Sequence, residues 1–266
     1  MDKEINVVNY ERKFNKLTII RLSVLSVLVL IGICLINNYN KLGYVKPWLF
    51  IVIGILLIMV FSLGLIFKTK LKDYINNQKT FQIYDITTFS LFIVLIFIFI
   101  NTYLFSFTSV QGISMEPTLY ENDRVVVTSL FYKPVTNDIV AFDAKDYDIT
   151  THDYLCKRIL ATSNDLIRYE SKNAGKGDVY VNEELVLEGV PSYRYETMTT
   201  FIGDGANIYS ILTVDNKIKE GYSILIGDNL SSSKDSRDFG ACKNEDIVGK
   251  VWFRYFSQYG KFGIVR

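Results

Sequence analysis

Ser114 lies in the turn Gly-Ile-Ser-Met-Glu-Pro-Thr, and the surrounding stretch "QGISMEPTLYENDRVVV" (111–127) runs straight from that turn into an alternating apolar strand. A serine held in so constrained a turn is a candidate nucleophile, provided a base can take its proton. Bases are scarce. The one histidine, His152, lies in "DITTHDY", a polar stretch that reads as an exposed loop, and any serine–histidine–aspartate triad would have to use it. A single histidine and no Cys-x-x-Cys pair exclude a multi-histidine or cysteine-based metal centre, and no metal or other cofactor is expected. A formal net charge of +1 argues against a nucleic-acid partner. Walker-type and dinucleotide-binding glycine loops are missing as well.

A lysine can replace the histidine if it is neutral. Its ordinary pKa is near 10.4, and each unit of depression costs about 1.36 kcal/mol. Only desolvation or a cationic neighbour achieves that, so the lysine must point inward from an ordered element. Most lysines here lie in loops or at strand ends. Lys157 lies in "YLCKRIL", where strand alternation puts Leu155, Lys157 and Ile159 on one face. It is either such a base or an edge-strand lysine that keeps its tip in water. A third segment, "IGDNLSSSKDSRDFG" (226–240), crowds Gly, Asp, Asn and Ser after a strand. It reads as a surface turn, or as a loop in which Asp235 and Arg237 brace a site by pairing with one another or with Arg158.

These segments need elements to hold them. The chain has 266 residues, 49% hydrophobic and 21% charged, with the apolar residues concentrated toward the N-terminus. Three stretches (17–36, 48–67 and 86–107) have the roughly 20 residues needed to cross a bilayer. Arg21 is close enough to the start of the first to snorkel toward headgroups. That first stretch ends in "CLINNYNKLGY", with no small-residue cleavage site, and is expected to be retained. Lys3, Arg12, Lys13 and Lys16 precede the first stretch, and Lys68, Lys70, Lys72 and Lys79 separate the second from the third. Only Lys41 and Lys46 lie between the first two. The positive-inside rule then puts the N-terminus in the cytoplasm and everything after Phe107 outside. Residues 108–266 read as short strands broken by turns: "DRVVVTSL", "DIVAFDA", "DYLCKRILA", "DLIRYE", "DVYVNEELVLE", "YSILIGDN" and "GKVWFRYF". "VYVNEELVL" reads as a hairpin across Asn182 and Glu183, and 188–208 as an irregular insertion. The expected architecture is a mainly β domain (108–266) on a membrane anchor of three transmembrane α-helices (1–107). Cys156 and Cys242 could bridge in an oxidising compartment or stay free; no sequence rule brings them together.

"SMEPTL", "NDIVAF", "YLCKRIL" with Asp165 beyond it, and "GDNLSSSKDSRDFG" resemble the boxes of bacterial type I signal peptidases, in that family's order and approximate spacing. The resemblance covers most of 109–249. It implies a signal-peptidase-like β fold with Ser114 as nucleophile and Lys157 as general base. Ser233 would then orient the lysine, while Asp235, Arg237 and Arg158 hold the loop against the catalytic strand. The family's oxyanion hole uses the nucleophile's N–H and a group two residues earlier. That position is Gly112, so a second donor here would be backbone or water. Pockets for small substrate residues would be lined by Val110, Gly112, Met115, Leu119, Val125, Leu155 and Cys156. The chain departs from the pattern at "ATSND", which keeps only Asp165, and at Leu230, where an arginine is usual.

The resemblance also implies a function: a membrane-bound serine endopeptidase that removes signal peptides from exported preproteins after Ala-x-Ala-type sites. It implies a multi-pass protein of the bacterial cell membrane with an extracytoplasmic catalytic domain. Its partners would be signal-peptide-bearing preproteins, the lipid bilayer and the secretion translocon. Ser114 follows Phe107 by seven residues, so even an extended linker keeps it within about 25 Å of the third stretch, the depth at which a membrane-inserted signal peptide presents its cleavage site. A narrower alternative is a dedicated protease for one secreted, pilin-like or spore-associated substrate.

Overall fold

The computed structural model describes residues 2–36, 46–66, 78–147, 154–202 and 208–266; His152 lies outside them. The chain divides into two compact units, Met1–Phe105 and Ser106–Arg266.

The first unit holds α1 (Asp2–Cys34), α2 (Pro47–Ile66) and α3 (Gln78–Tyr103). Leu25, Phe50, Phe61, Leu95 and Tyr103 form its interior, while Ile19, Leu30, Leu56, Val60, Ile86 and Phe97 face outward. Helices apolar on both their inner and outer sides suit a hydrocarbon environment rather than water. Gly54 lets α1 and α2 approach closely: a Cβ there would fall 2.4 Å from Val29 Cγ2. Two helices, through Phe14–Cys34 and Gln82–Tyr103, are long and apolar enough to cross a membrane. In α2 the apolar stretch is shorter, Pro47–Leu63. The third helix also differs from its expected bounds. It begins at Gln78 and ends at Tyr103, and Phe105–Ser109 is strand. The earlier start brings Asp85 into the helix, and this changes the environment of Arg21. Arg21 does not snorkel. It is buried, donating to Asp85 Oδ1 at 2.7 Å and to Thr88 Oγ1 at 2.5 Å. Inside an apolar bundle a cation is tolerated when such partners meet it.

The second unit is a β domain built from antiparallel pairs. Its main sheet runs β1 (Phe105–Ser109), β2 (Arg124–Thr128), β12 (Ile247–Phe256), β3 (Ile139–Asp143), β4 (Tyr154–Thr162), β10 (Tyr222–Ile226), β11 (Cys242–Lys243), with β13 (Gly263–Ile264) paired to β12. A smaller sheet comprises β5 (Ile167–Ser171), β6 (Lys176–Val181) and β7 (Glu184–Pro191). The expected hairpin is present: Val181 pairs Glu184, and Asn182 and Glu183 both have positive φ, 48° and 68°, as a two-residue I′ turn requires. Asp165 ties the two sheets together. It accepts from Thr136 Oγ1, the Thr162 N–H at 2.8 Å and Asn182 Nδ2 at 2.8 Å.

The segment expected to be irregular is largely ordered. β7 continues to Pro191, α4 spans Ser192–Met198, and β8 (Thr200–Ile202) pairs β9 (Ile208–Ser210). Met198 and Phe201 enter the core, and Tyr195 stacks on Tyr169 at 4.9 Å. A helix of 7 residues is too short for its apolar periodicity to stand out; its inward contacts hold it.

Candidate active site

Ser114 sits on a loop whose ends are pinned together. The Val110 N–H donates to the Asp123 carbonyl at 2.8 Å, and the Asn122 N–H to the Val110 carbonyl at 2.9 Å. Inside it, the Thr118 and Leu119 N–H groups both donate to the Met115 carbonyl at 2.9 Å. The buried side chains of Met115 and Leu119 anchor the turn from below. Asn229 clasps the loop at Ser114 and the residue before it. Its N–H donates to the Ser114 carbonyl at 3.0 Å and its Nδ2 to the Ile113 carbonyl at 3.2 Å.

Lys157 comes from the middle of β4, which lies between β3 and β10, with Val140 as its partner across the pair. β10 pairs β4 only from Arg158 onward, so it is the burial of the side chain that removes the edge-lysine alternative. Lys157 is 2% exposed, and its Nζ lies 2.7 Å from Ser114 Oγ. Burial pulls its pKa below the ordinary lysine value; Asp235 and the Cys156 thiol oppose this, and Arg237 adds to it.

The loop after β10 completes the surroundings. Asp235 is fully buried and caps α5 (Ser236–Phe239), accepting the Arg237 N–H at 3.2 Å. The same carboxylate takes both Arg237 Nε and Nη2 at 2.8 Å and the Gly227 N–H at 3.1 Å. Burial alone would raise its pKa, but the Arg237 fork and the Gly227 N–H win and hold it below the ordinary value. Gly227 is required by space: a Cβ there would lie 2.2 Å from Ser233 Oγ and 2.5 Å from the Ser114 carbonyl. Leu230, where an arginine was usual, gives its carbonyl to Arg237 Nη2 at 2.9 Å.

Two expectations about this loop change. Arg158 does not pair with Asp235. It forks onto Asp228, Nε to Oδ1 at 2.8 Å and Nη2 to Oδ2 at 2.7 Å, because adjacent residues of β4 point to opposite faces. Ser233 does not bond the lysine; its buried Oγ has no hydrogen-bond partner among the described residues. It lies near enough to the Asp235 carboxylate to favour its ionised form, but out of bonding geometry. The Gly112 N–H points to Glu121 Oε1 at 3.4 Å, with a φ of +76° that suits glycine.

Of the residues expected to line substrate pockets, Val110, Met115, Leu119 and Val125 are buried beneath the loop. Leu155 and Cys156 are half-buried and reachable. Cys156 and Cys242 are free thiols, and burial pushes Cys156 up to about 12. Asp228 and Asn229 were missed, although both stand in the Gly-Asp-Asn of the quoted motif. No group of metal-ligating side chains occurs among the described residues. A buried neutral-prone amine against a hydroxyl can do one thing well: take the hydroxyl's proton and release a nucleophile.

A family model described as signal peptidase, peptidase S26, matches residues 83–256. Signal peptidase IB of Staphylococcus aureus is 32% identical over 163 residues, which is 57% of this chain and 78% of that protein. Thylakoidal processing peptidase 1, chloroplastic, of Arabidopsis thaliana is 32% identical over 158 residues, 56% of this chain but only 41% of that protein. Among solved structures, a signal peptidase I from Enterococcus faecalis V583 matches 45% of this chain and 97% of its own at 21% identity, with a TM-score of 0.27.

Proposed function

The chain belongs to the signal peptidase family, peptidase S26, a family of serine peptidases, and from that premise we propose that it is a membrane-anchored endopeptidase that cleaves signal peptides from exported preproteins with a Ser114–Lys157 dyad. The observation that carries this reading is the 2.7 Å approach of Ser114 Oγ to a lysine that is 2% exposed. Neutral Lys157 takes the hydroxyl proton as Oγ attacks the scissile carbonyl carbon. The tetrahedral intermediate collapses, Lys157 passes its proton to the departing amine, and the new N-terminus leaves. A water, giving its proton to the Lys157 amine, then attacks the acyl carbon; the bond to Oγ breaks, the acyl group leaves as a carboxylate, and Lys157 returns the proton to Ser114 Oγ. The Ser114 N–H is one oxyanion donor. Backbone or water supplies the other, as Gly112 has no side chain to do so.

Leu155, on the Lys157 face of β4, presents an aliphatic, uncharged surface, which suits small residues such as alanine at the cleavage site. The substrate's extended segment adds along Tyr154–Lys157, where β4 is paired with β3 but not with β10. The test is direct. Full-length protein in detergent micelles should cut a preprotein after its Ala-x-Ala site, and N-terminal sequencing of the product should show one new terminus. Cutting at unrelated sites, or none with an intact fold, would refute the assignment.

We read α2 as a third span. Its apolar stretch covers about 26 Å at 1.5 Å per residue, close to the roughly 30 Å hydrocarbon core. With the lysine-rich segments inside, the N-terminus is cytoplasmic and the catalytic domain extracytoplasmic. Preproteins and the secretion translocon are then on its side of the bilayer. A reporter fused after Arg266 should therefore be active only outside the cell. A cytoplasmic signal from that fusion would remove the third span and put the site on the wrong side for this function.

A further inference from the structure

β12 is bulged twice against β2: the register steps between Val251 and Phe253 and again between Arg254 and Phe256. Bulges re-aim the side chains beside them. Here Arg254 turns inward, 12% exposed at its side chain, onto the loop that carries Ser114. Its Nη1 donates to the Thr118 carbonyl at 2.8 Å and to Asp123 Oδ2 at 3.1 Å. The Asp123 side chain is fully buried, and the same oxygen accepts the Tyr120 N–H at 3.1 Å. Its carbonyl closes the loop through Val110. One guanidinium thus holds the nucleophile loop at two points, and through Asp123 at a third. A second, weaker tie comes from exposed Lys261, whose Nζ donates to the Pro117 carbonyl at 2.8 Å and sits 4.6 Å from the centre of the Tyr120 ring. Tyr259 packs on the other partner of that contact, 4.2 Å from Tyr120.

We propose that Arg254 is a positioning residue for the reaction: it sets the loop so that Ser114 Oγ meets Lys157 Nζ, with Lys261 as its auxiliary. This deepens the peptidase reading and rests on it. Lys157 rides on a strand of the main sheet and needs no further support, whereas Ser114 rides on a loop of turns between β1 and β2. Its distance from the lysine depends on what grips that loop. A misplacement of about 1 Å can cost on the order of a hundredfold in rate without loss of binding. A group that acts this way lowers the turnover number and leaves affinity and the base's titration alone.

The test uses the full chain in detergent micelles and a short peptide containing Ala-x-Ala before the scissile bond. kcat and KM are measured across pH, well below the unfolding midpoint of each variant. Arg254→Gln should lower kcat about ten- to a hundredfold, with KM changed less than about twofold and the acid limb of the rate profile unmoved. Arg254→Lys, able to reach one acceptor at a time, should recover part of the loss. Lys261→Met should lower kcat about two- to fivefold, and because Lys261 is exposed this loss is not one of folding. Wild-type kcat per folded molecule in Arg254→Gln, or a raised KM with kcat intact, overturns the inference. If Arg254→Gln fails to fold, wild-type kcat in both Arg254→Lys and Lys261→Met overturns it. Failure of the underlying reading looks different: Ser114→Ala would still cleave, and the site that Arg254 positions would not exist.

Discussion

Ser114→Ala should abolish cleavage, a fall on the order of 10⁴- to 10⁶-fold, while the β domain keeps its unfolding midpoint. Among the described residues the hydroxyl makes one hydrogen bond, with Lys157, and the loop is held by its backbone, by Asn229 and by the buried side chains of Met115 and Leu119. Lys157→Ala should lose nearly as much activity, since a serine hydroxyl without a base is a poor nucleophile. Lys157→Arg should not rescue it: a guanidinium stays protonated and cannot accept the proton. Cleavage of the Ala-x-Ala peptide by purified full-length variants reads all three. An active Lys157→Ala enzyme beside a dead His152→Ala enzyme would assign the base to the histidine and refute the dyad.

Lys157→Met should be inactive and yet more stable than the wild type at neutral pH. The amine's pKa in the folded chain lies below its ordinary value of 10.5, chiefly from burial, so between those two values the unfolded chain binds more protons than the folded one. Stability contributed at this site therefore rises with pH through that window, and the penalty is complete below it. Methionine fills similar volume without a charge to desolvate. Its advantage should be largest near neutral pH and shrink as pH approaches the ordinary lysine value; denaturant unfolding at several pH values measures it. If Lys157 is the base, the same depressed pKa sets the rate, and kcat/KM should rise with pH as the amine loses its proton. Leu155→Asp places a carboxylate beside the amine on the same strand face, favours the charged form and moves that limb to higher pH. A limb near pH 6.5, the range of histidine, that Leu155→Asp leaves in place would point away from lysine. A Lys157→Met protein no more stable than wild type would mean the amine is well solvated.

How much of this was legible in the chain depends on how local each feature is. The alternation of "YLCKRIL" put Lys157 between Leu155 and Ile159, and the Ser114 turn stood out from its Gly and Pro. The Asn182–Glu183 hairpin was readable because two turn residues and flanking apolar pairs suffice to specify it. The Asp235–Arg237 pair was one of two pairings the sequence allowed. Short segments without a strong period were misread: α4 and the β8–β9 pair passed as irregular chain, since their order comes from Met198 and Phe201 entering a core built by other strands.

The sequence by itself determined which residues share a face and which turns can form, because side-chain periodicity and turn chemistry act over a few residues. It also determined, through the order of four motifs, the family to which the chain belongs. Only the tertiary structure decided that the Lys157 side chain is buried rather than wet at its tip, with Ser114, 43 residues away in sequence, against its amine. It alone decided that Arg158 meets Asp228, that Ser233 does not reach the lysine, that Arg21 finds Asp85, and that Arg254 grips the Ser114 loop. Each of these joins residues far apart in sequence. Which distant groups meet is settled by the packing of the whole sheet or bundle, and no local pattern encodes it.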